Sequence, residues 1–209
     1  MIPDTHYNLY YLCSRITQIN ILKTAIKHIA NIQTGIFAKP IKEGQIVYLQ
    51  AKHFDQNGQL ISSLHPDLKD ENISDKHLLR HGDVLFAAKG TKNFAAWYER
   101  KNLPAVASTS FFVIRINDNF QVKILPEFLT WYINQPLSQK FLKGKAMGTS
   151  IVSISKSVLE ELEIPIPDLE TQKAILKITQ LRNSEKILKW QIESLKEMQI
   201  QRQILNSIK

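Results

Sequence analysis

The stretch GTSIVSISKSVLEELEIPIPDLETQKAI, residues 148–175, decides how this chain is organised. A small polar loop opens it, and Ser157-Val158-Leu159-Glu160 matches a capping box that predicts a short helical turn. The proline-x-proline step at 165–167 bars continuous helix and favours extended backbone. Asp168 follows at once, where its carboxylate can accept hydrogen bonds from the free N–H groups of a first helical turn. We therefore predict a stiff joint between a globular body and a helix.

The segment after the joint contains no Gly and no Pro from Asp168 to Lys209. At 1.5 Å per residue, a helix of about 40 residues would be about 60 Å long. Its apolar residues keep heptad spacing and continue it after a shift of three residues. This seam consists of Ile178, Leu181, Leu188, Ile192 and Leu195, followed by Met198, Leu205 and Ile208.

Such a helix is longer than a body of this size is wide, so it either projects or folds back on its own domain. We favour a projecting helix that pairs with another helix as a coiled coil, because a long apolar seam is costly to leave in water. The predicted division is a body at 1–166 and a spacer or dimerisation helix at 167–209.

The body alternates apolar runs typical of strands with helical patterns. Its predicted fold class is α+β, a mixed α/β domain without a regular βαβ rhythm. The expected elements are a helix within 16–36 that ends near Gly35, strands at Ile46–Leu49, Val84–Ala88 and Ser110–Ile116, a tight turn at Asn57-Gly58, and a helix that starts at Pro126, is interrupted at Pro136 and ends at Gly144.

The composition is basic, with a formal net charge of +8 and a pI near 9.5. This balance favours an acidic partner, nucleic acid before an anionic membrane. The single cysteine, Cys13, excludes an internal disulfide framework and a cysteine zinc site. No apolar run approaches the roughly 20 residues of a membrane span, and the first residues lack the basic start of a signal peptide. We expect a soluble, cytoplasmic protein.

Residues that could carry catalysis or hold a metal are sparse. His77 and His81 stand four residues apart but have no nearby third ligand. The acidic run 67–75, with Asp67, Asp70, Glu71 and Asp75, is turn-like and interrupted by a lysine, so we interpret it as a solvated loop. The chain also lacks a P-loop, an Asn-Pro-Pro-aromatic tetrapeptide and a Gly-x-Ser-x-Gly elbow. We predict no catalytic residue and no metal site.

Three loops, each following a predicted helix or strand, combine lysines with amide or hydroxyl side chains and glycines. Lysines contact phosphates, whereas amides and hydroxyls bond phosphates or base edges. The loops lie at 33–39, 88–93 and 141–150. The candidate DNA-binding residues in them are Gln33, Thr34, Lys39, Lys89, Thr91, Lys92, Asn93, Lys143, Lys145, Thr149 and Ser150.

An ordered series of short motifs runs from about Ile21 to Lys209, and together they are specific although each is weak alone. They are HGDVLF at 81–86 with KGT at 89–91, ASTSF at 107–111 with VIR at 113–115, PEFL at 126–129 with YIN at 132–134, GTS at 148–150 with IS at 154–155, Leu162 with IPIP at 164–167, and QKAI at 172–175. In this order they resemble half of a type I restriction-modification specificity subunit.

The resemblance implies a target recognition domain that reads one half of a split double-stranded DNA target, followed by a conserved spacer helix. It also implies an adaptor without catalysis of its own, held by methyltransferase subunits that supply S-adenosylmethionine and the adenine chemistry. Such subunits usually carry two recognition domains and two antiparallel helices, whereas this sequence has one of each. A single copy implies a homodimer or pairing with a second half-subunit.

Two departures from an adaptor remain open at this stage. The chain could be the recognition part of a fused restriction-methylation enzyme, or a small nuclease. It could also be a scaffold that does not bind DNA and whose basic charge serves solubility. Thr171 stands where family members often have Glu, which leaves the contact with a methyltransferase open in detail.

Overall fold

The computed structural model describes residues 23–55, 57–61, 63–70, 73–90, 93–99, 104–146 and 153–208. A body of short strands and helices is followed by one long helix, α6 (Leu169–Ser207). The α+β class and the long C-terminal helix predicted from the sequence are confirmed. The predicted division at residue 166 stays a prediction, and the helix itself begins at Leu169 after its cap, Asp168.

The centre of the body is a four-stranded antiparallel sheet with strand order β2-β7-β4-β5. Two-stranded pairs flank it: β3 with β6 in parallel, and β1 with β8 antiparallel. The strands are β1 (Lys23–Ala25), β2 (Ala30–Thr34), β3 (Val47–Leu49), β4 (Val84–Ala87), β5 (Ala95–Trp97), β6 (Ala105–Ala107), β7 (Phe111–Ile116) and β8 (Glu163–Pro165).

Strand β4 is buried on both faces, which explains its unbroken apolar run. Val84 and Phe86 pack into one hydrophobic core with the helices, whereas Leu85 and Ala87 pack into a second core with β3 and β6. Successive side chains of a strand point to opposite faces, so each face needs its own apolar set. The sequence signal for this strand, and for β3 and β7, is therefore confirmed.

Short helices cover the first core. They are α1 (Ile26–Ile29), α2 (Asp118–Gln121), α3 (Pro126–Ile133), α4 (Pro136–Gly144) and α5 (Lys156–Glu160), with 3-10 turns at Ala51–His53 and Asp75–His77. Pro126 and Pro136 occupy first turns, where a missing N–H costs nothing. The predicted start, interruption and end of this helical region are confirmed.

The predicted helix within 16–36 is wrong over the described residues. Only four of them, Ile26–Ile29, are helical, and strand β2 follows at Ala30. Its side chains alternate, with Ala30 and Ile32 buried and Asn31 exposed, and the strand pairs with β7 along its whole length. Pairing with a strand about 80 residues away overrides the local helical pattern after Ile29.

The capping box predicted at Ser157 is also misplaced. The cap lies two residues earlier, at Ser155, whose hydroxyl accepts from the Val158 amide at 3.3 Å, and the helix begins at Lys156. Ser157 instead shares a hydroxyl–hydroxyl hydrogen bond with Ser155 at 2.9 Å. The predicted turn at Asn57-Gly58 is confirmed, since Gly58 has a φ of 77° within a bridge between Phe54 and Leu60.

An ion pair between a buried carboxylate and a half-buried guanidinium lies at the centre of the body. The Asp83 carboxylate accepts from Arg115 Nε at 2.8 Å and Nη2 at 2.6 Å, and from the Arg80 amide at 2.7 Å. The hydrogen bond to Asp83 raises the pKa of Arg115 further above its ordinary value. Asp83 immediately precedes β4 and Arg115 lies on β7, so the pair joins adjacent strands. The sequence motifs contain both residues but do not reveal their contact.

Candidate functional site

The four-stranded sheet gathers three chain segments at one end. Thr34, the last residue of β2, pairs with Phe112, and Ala87, the last residue of β4, pairs with Phe111 at the start of β7. The segments that leave β2 and β4 therefore meet the turn that enters β7. We call this surface the loop end and define it as residues 34–39, 88–90 and 108–110.

Backbone hydrogen bonds join the three segments of the loop end. The Ala88 amide donates to Ser110 O at 2.9 Å, and the Gly35 amide donates to Phe111 O at 3.0 Å. Gly35 approaches the turn so closely that a Cβ would lie 2.1 Å from Ser108 O. A glycine is needed here for that close approach. The segments of the loop end are therefore held together by backbone hydrogen bonds and close packing.

Four predicted DNA-binding residues lie at or beside the loop end. Thr34, Lys39 and Lys89 are exposed, and Gln33 is half-buried. The Gln33 amide donates to Lys76 O at 3.1 Å, so the exposed Lys76 is brought beside them. Sequence reasoning missed Lys76, because 43 residues separate it from Gln33 and no local pattern links them.

The lysines of this region keep their charge available. Within the described part of the chain, Lys39, Lys76 and Lys89 form no ion pair with a carboxylate. Lysines without carboxylate partners can contact phosphates without first breaking an existing pair. The loop end and its border therefore combine positive charge with the hydroxyls of Thr34, Thr109 and Ser110.

Asn93 is a correction to the predicted set. Its side chain belongs to a residue only 7% exposed, and its amide donates to Ala87 O at 3.0 Å. That bond holds the segment returning from β4, so Asn93 supports the loop from inside and does not present its amide to DNA. Thr91, Lys92, Thr149 and Ser150 lie outside the described residues.

The remaining candidates, Lys143 and Lys145, lie at the end of α4. Lys143 is exposed, but no described contact links it to the loop end. Lys145 pairs with Glu161 at 2.8 Å, and its ammonium lies 4.6 Å from the centre of the Phe141 ring. The hydrogen bond from Lys145 lowers the pKa of Glu161 below its ordinary value. Lys145 is therefore already paired within the body. Ser153, further along the chain, forms an isolated β-bridge with Lys89.

Two residues considered as possible metal ligands, Asp67 and His81, make structural contacts. Asp67 accepts from the Tyr48 amide at 2.8 Å, which gives it a structural part in the β3 region. His81 instead packs edge-on against Trp97. No group of three His, Cys, Asp or Glu side chains suited to a metal ion occurs among the residues that the structure describes.

The joint between the body and the long helix is held by a capping residue and a buried side chain. Asp168 Oδ1 accepts from the Thr171 amide at 2.7 Å, which confirms the predicted cap. This hydrogen bond lowers the pKa of Asp168. Gln172 lies one turn further on and is 0% exposed.

The Gln172 amide group spans two parts of the body. Its oxygen accepts from the Leu125 amide at 2.9 Å, while its nitrogen donates to Lys123 O and Pro167 O, both at 2.7 Å. One side chain thereby ties the start of α6 to the loop before α3. The sequence contained Gln172 within QKAI, but only the tertiary contact shows what it does.

Beyond this joint, α6 leaves the body. The apolar seam predicted from the heptads is exposed from Leu181 onwards, and Leu188 is 58% exposed. Only Ile178, near the joint, is half-buried. The alternative that the helix folds back on its own body is therefore wrong. Pairing with another helix stays a prediction. Within the described residues, no helix has the length and hydropathy required of a membrane span.

Comparison with known proteins adds independent information. Residues 23–197 match the family model described as the type I restriction modification DNA specificity domain. A relative from Methanocaldococcus jannaschii, the type I restriction enzyme MjaVIII specificity subunit, is 26% identical over 153 residues, 73% of this chain and 32% of that protein. The putative MjaX specificity subunit of the same organism is 33% identical over 118 residues, 54% of this chain and 26% of that protein.

Solved structures with the same fold point the same way. The HsdS subunit from Thermoanaerobacter tengcongensis aligns with a TM-score of 0.61 at 22% identity, covering 86% of this chain and 46% of that one. The S subunit of the type I restriction-modification system from M. genitalium aligns with a TM-score of 0.56 at 19% identity, covering 80% and 40%. The chain thus spans less than half the length of each of these relatives.

Proposed function

Because the chain belongs to the family of type I restriction-modification DNA specificity domains, we propose that it is a non-catalytic subunit that reads one half of a split double-stranded DNA target. The observation that carries this proposal is the loop end. It offers exposed lysines and the exposed hydroxyl of Thr34, with the half-buried Thr109 and Ser110 beside them, on segments tied together by backbone hydrogen bonds, as a surface that contacts phosphates and base edges requires.

Pairing through the long helix would bring in a second recognition domain for the other half of the DNA target. Its exposed apolar seam favours a helix partner, and we propose a homodimer or a pair with a second half-subunit. Two identical recognition domains related by a two-fold axis would select a symmetric, interrupted palindrome. The hydrogen bonds of Gln172 support a fixed angle between each recognition domain and its helix.

The chemistry would come from a partner. We propose that a methyltransferase subunit binds this chain and carries S-adenosylmethionine, so that the DNA reader positions an adenine for methylation. A cytoplasmic location, where that DNA and partner would be found, belongs to the same proposal.

The experiment measures how DNA affinity depends on salt. Each phosphate contact contributes about one unit to the slope of log affinity against log salt. The double variant Lys39→Ala/Lys89→Ala should therefore bind duplex DNA more weakly, with a slope smaller by about two. The matched control, Lys27→Ala/Lys156→Ala, removes the same charge from exposed positions on α1 and α5 and should keep the original slope.

Two results would count against the proposal. Equal affinities and slopes for the two double variants would show that the loop end does not face DNA. Absence of DNA binding by the unmodified chain at low salt, even with a methyltransferase subunit present, would favour the scaffold interpretation.

A further inference from the structure

Phe37, at the loop end, is an aromatic residue that the body does not bury. It is 78% exposed, whereas Phe86, Phe94, Phe111 and Phe128 are each at most 2% exposed. A single exposed apolar side chain is ordinary on a protein surface and by itself indicates nothing. Phe37 differs because its backbone is clamped on both sides.

The clamp is the hydroxyl of Tyr48, a residue only 3% exposed. It donates to Ile36 O at 3.0 Å and accepts from the Ala38 amide at 3.3 Å. These are the two chain neighbours of Phe37, so one buried group holds the backbone on either side of the exposed ring.

The neighbours are also anchored by packing. Ile36 and Ala38 pack against a small core that contains Leu68 and Val106, and the Ile36 amide donates to Ala107 O at 2.8 Å. Their side chains occupy the inward positions beside Phe37. The ring is therefore held outward before any ligand arrives, which reduces the conformational entropy lost on binding.

The surroundings suggest what the ring meets. Thr34 and Lys39 flank it in sequence, and the turn at 108–110 with Lys89 completes the same surface. If the lysines of this surface contact phosphates, a rigid exposed aromatic side chain on the same surface can contact the bases. An apolar side chain in this position can enter a base step and stack on the exposed face of a base.

Resting on the function proposed above, we propose that Phe37 is a DNA-contacting residue that stacks on a base at an opened step of the target half-site. It adds base contact to a surface whose lysines supply only sequence-independent attraction. Affinity for the selected target then depends on Phe37 more strongly than affinity for unrelated duplex does.

The test uses the purified chain and a half-site sequence that the unmodified chain selects from a random duplex library. Phe37→Ala should weaken binding to this duplex by about 10-fold, in line with the loss of one stacked base. Its affinity for unrelated duplex and its salt slope should stay unchanged. Phe37→Trp should keep the affinity for the selected duplex.

A direct readout places 2-aminopurine, whose fluorescence depends on its stacking neighbours, at successive positions of the selected duplex. The unmodified chain should change the fluorescence at one position, where the ring replaces a base as the stacking neighbour, and Phe37→Ala should leave that position unchanged. The matched control is Leu137→Ala on α4, which truncates another apolar side chain, 82% exposed, away from the loop end. It should behave like the unmodified chain in both measurements.

Different results would contradict the stacking role of Phe37 and the proposed DNA recognition by the chain. Phe37→Ala that binds the selected duplex with unchanged affinity and gives the same fluorescence change at the same position would overturn the stacking role while DNA reading stands. If Phe37→Ala keeps DNA binding but loses a co-purifying methyltransferase subunit, the ring is a protein contact and the inference is wrong. Failure of the unmodified chain to select any duplex would remove the proposed function itself.

Discussion

The first turns of α6 and the rest of the same helix bury their side chains to opposite extents. Gln172 is fully buried and Ile175 and Leu176 pack on the first core, but the apolar seam from Leu181 onwards is exposed. Both regions have ordinary helix-forming residues and no Gly or Pro. Propensity therefore does not separate them, and tertiary contact does.

The difference shows where each region obtains its stability. Most helical stability in proteins comes from packing of an apolar face and not from intrinsic propensity. The start of α6 finds that packing within its own chain, whereas the apolar side chains of the projecting part are exposed. Four substitutions follow from the largest expected effect to the smallest; the first tests the body as a reference, and the other three test this contrast.

The largest effect should come from the body, at the ion pair between Asp83 and Arg115. Asp83→Ala leaves a partly buried guanidinium without its partner and the Arg80 amide without an acceptor. We expect a loss of about 3–5 kcal/mol in the free energy of unfolding, measured by urea denaturation. Asp70→Ala, at an exposed carboxylate, is the control and should change little. Equal losses for both would show that the pair contributes nothing.

The next effect should come from the joint. Gln172→Leu keeps a side chain of similar size but leaves Leu125 N, Lys123 O and Pro167 O without their partner. We expect a loss of about 3 kcal/mol and faster hydrogen exchange of the Leu125 amide. Lys173→Leu, at the neighbouring exposed position, should leave both unchanged. Unchanged exchange at Leu125 in Gln172→Leu would mean that the tie is not needed to hold the helix.

The projecting part should respond in association and not in folding of the body. Leu188→Asp places a charge in the apolar seam and should raise the Kd for helix pairing at least about 100-fold, or about 2.7 kcal/mol. Light scattering coupled to size exclusion would show the shift to monomer. Asn183→Asp adds the same charge on the opposite side of the helix and should stay associated. A monomeric unmodified chain at micromolar concentration would contradict the homodimer.

The smallest effect should come from the cap. Because the pKa of Asp168 is lowered in the folded chain, its stabilising contribution is present above the ordinary value of 3.8. That contribution is lost as the pH falls through the lower folded pKa. Asp168→Asn keeps a capping oxygen but has no charge to titrate, so its stability should change less than that of the unmodified chain below pH 3.8. Identical acid profiles would show that the charge contributes nothing.

Much of the architecture follows from local signals. The runs at β4 and β7, the prolines that open α3 and α4, and the cap at Asp168 each have a cause within a few residues. The helix expected before Gly35 failed, since the helical spacing of Leu22, Ile26 and Ile29 does not continue past Ile29 and pairing with β7 makes the next five residues a strand. The cap moved from Ser157 to Ser155, because two nearby serines offer the same hydroxyl.

The candidate DNA-binding residues likewise include some that the sequence identified and some that only tertiary contacts could reveal. Lysines and hydroxyls in loops were visible in the sequence; Thr34 and Lys89 do lie at one end of the sheet, and Lys39 lies on the segment that leaves β2 there. Asn93 was misassigned and Lys76 was missed, because whether a polar side chain faces solvent or bonds a distant backbone group depends on which segments meet.

The sequence by itself determined that an α+β body ends in a long helix with an apolar seam, because β-branched runs, prolines, capping residues and heptad spacing act over a few residues. Only the tertiary structure decided that Gln172 ties this helix to the loop before α3, that Asp83 meets Arg115, and that Tyr48 holds Phe37 outward. Each of these contacts is a hydrogen bond between groups at least ten residues apart, and such bonds are set only when strand pairing and core packing bring the groups within reach.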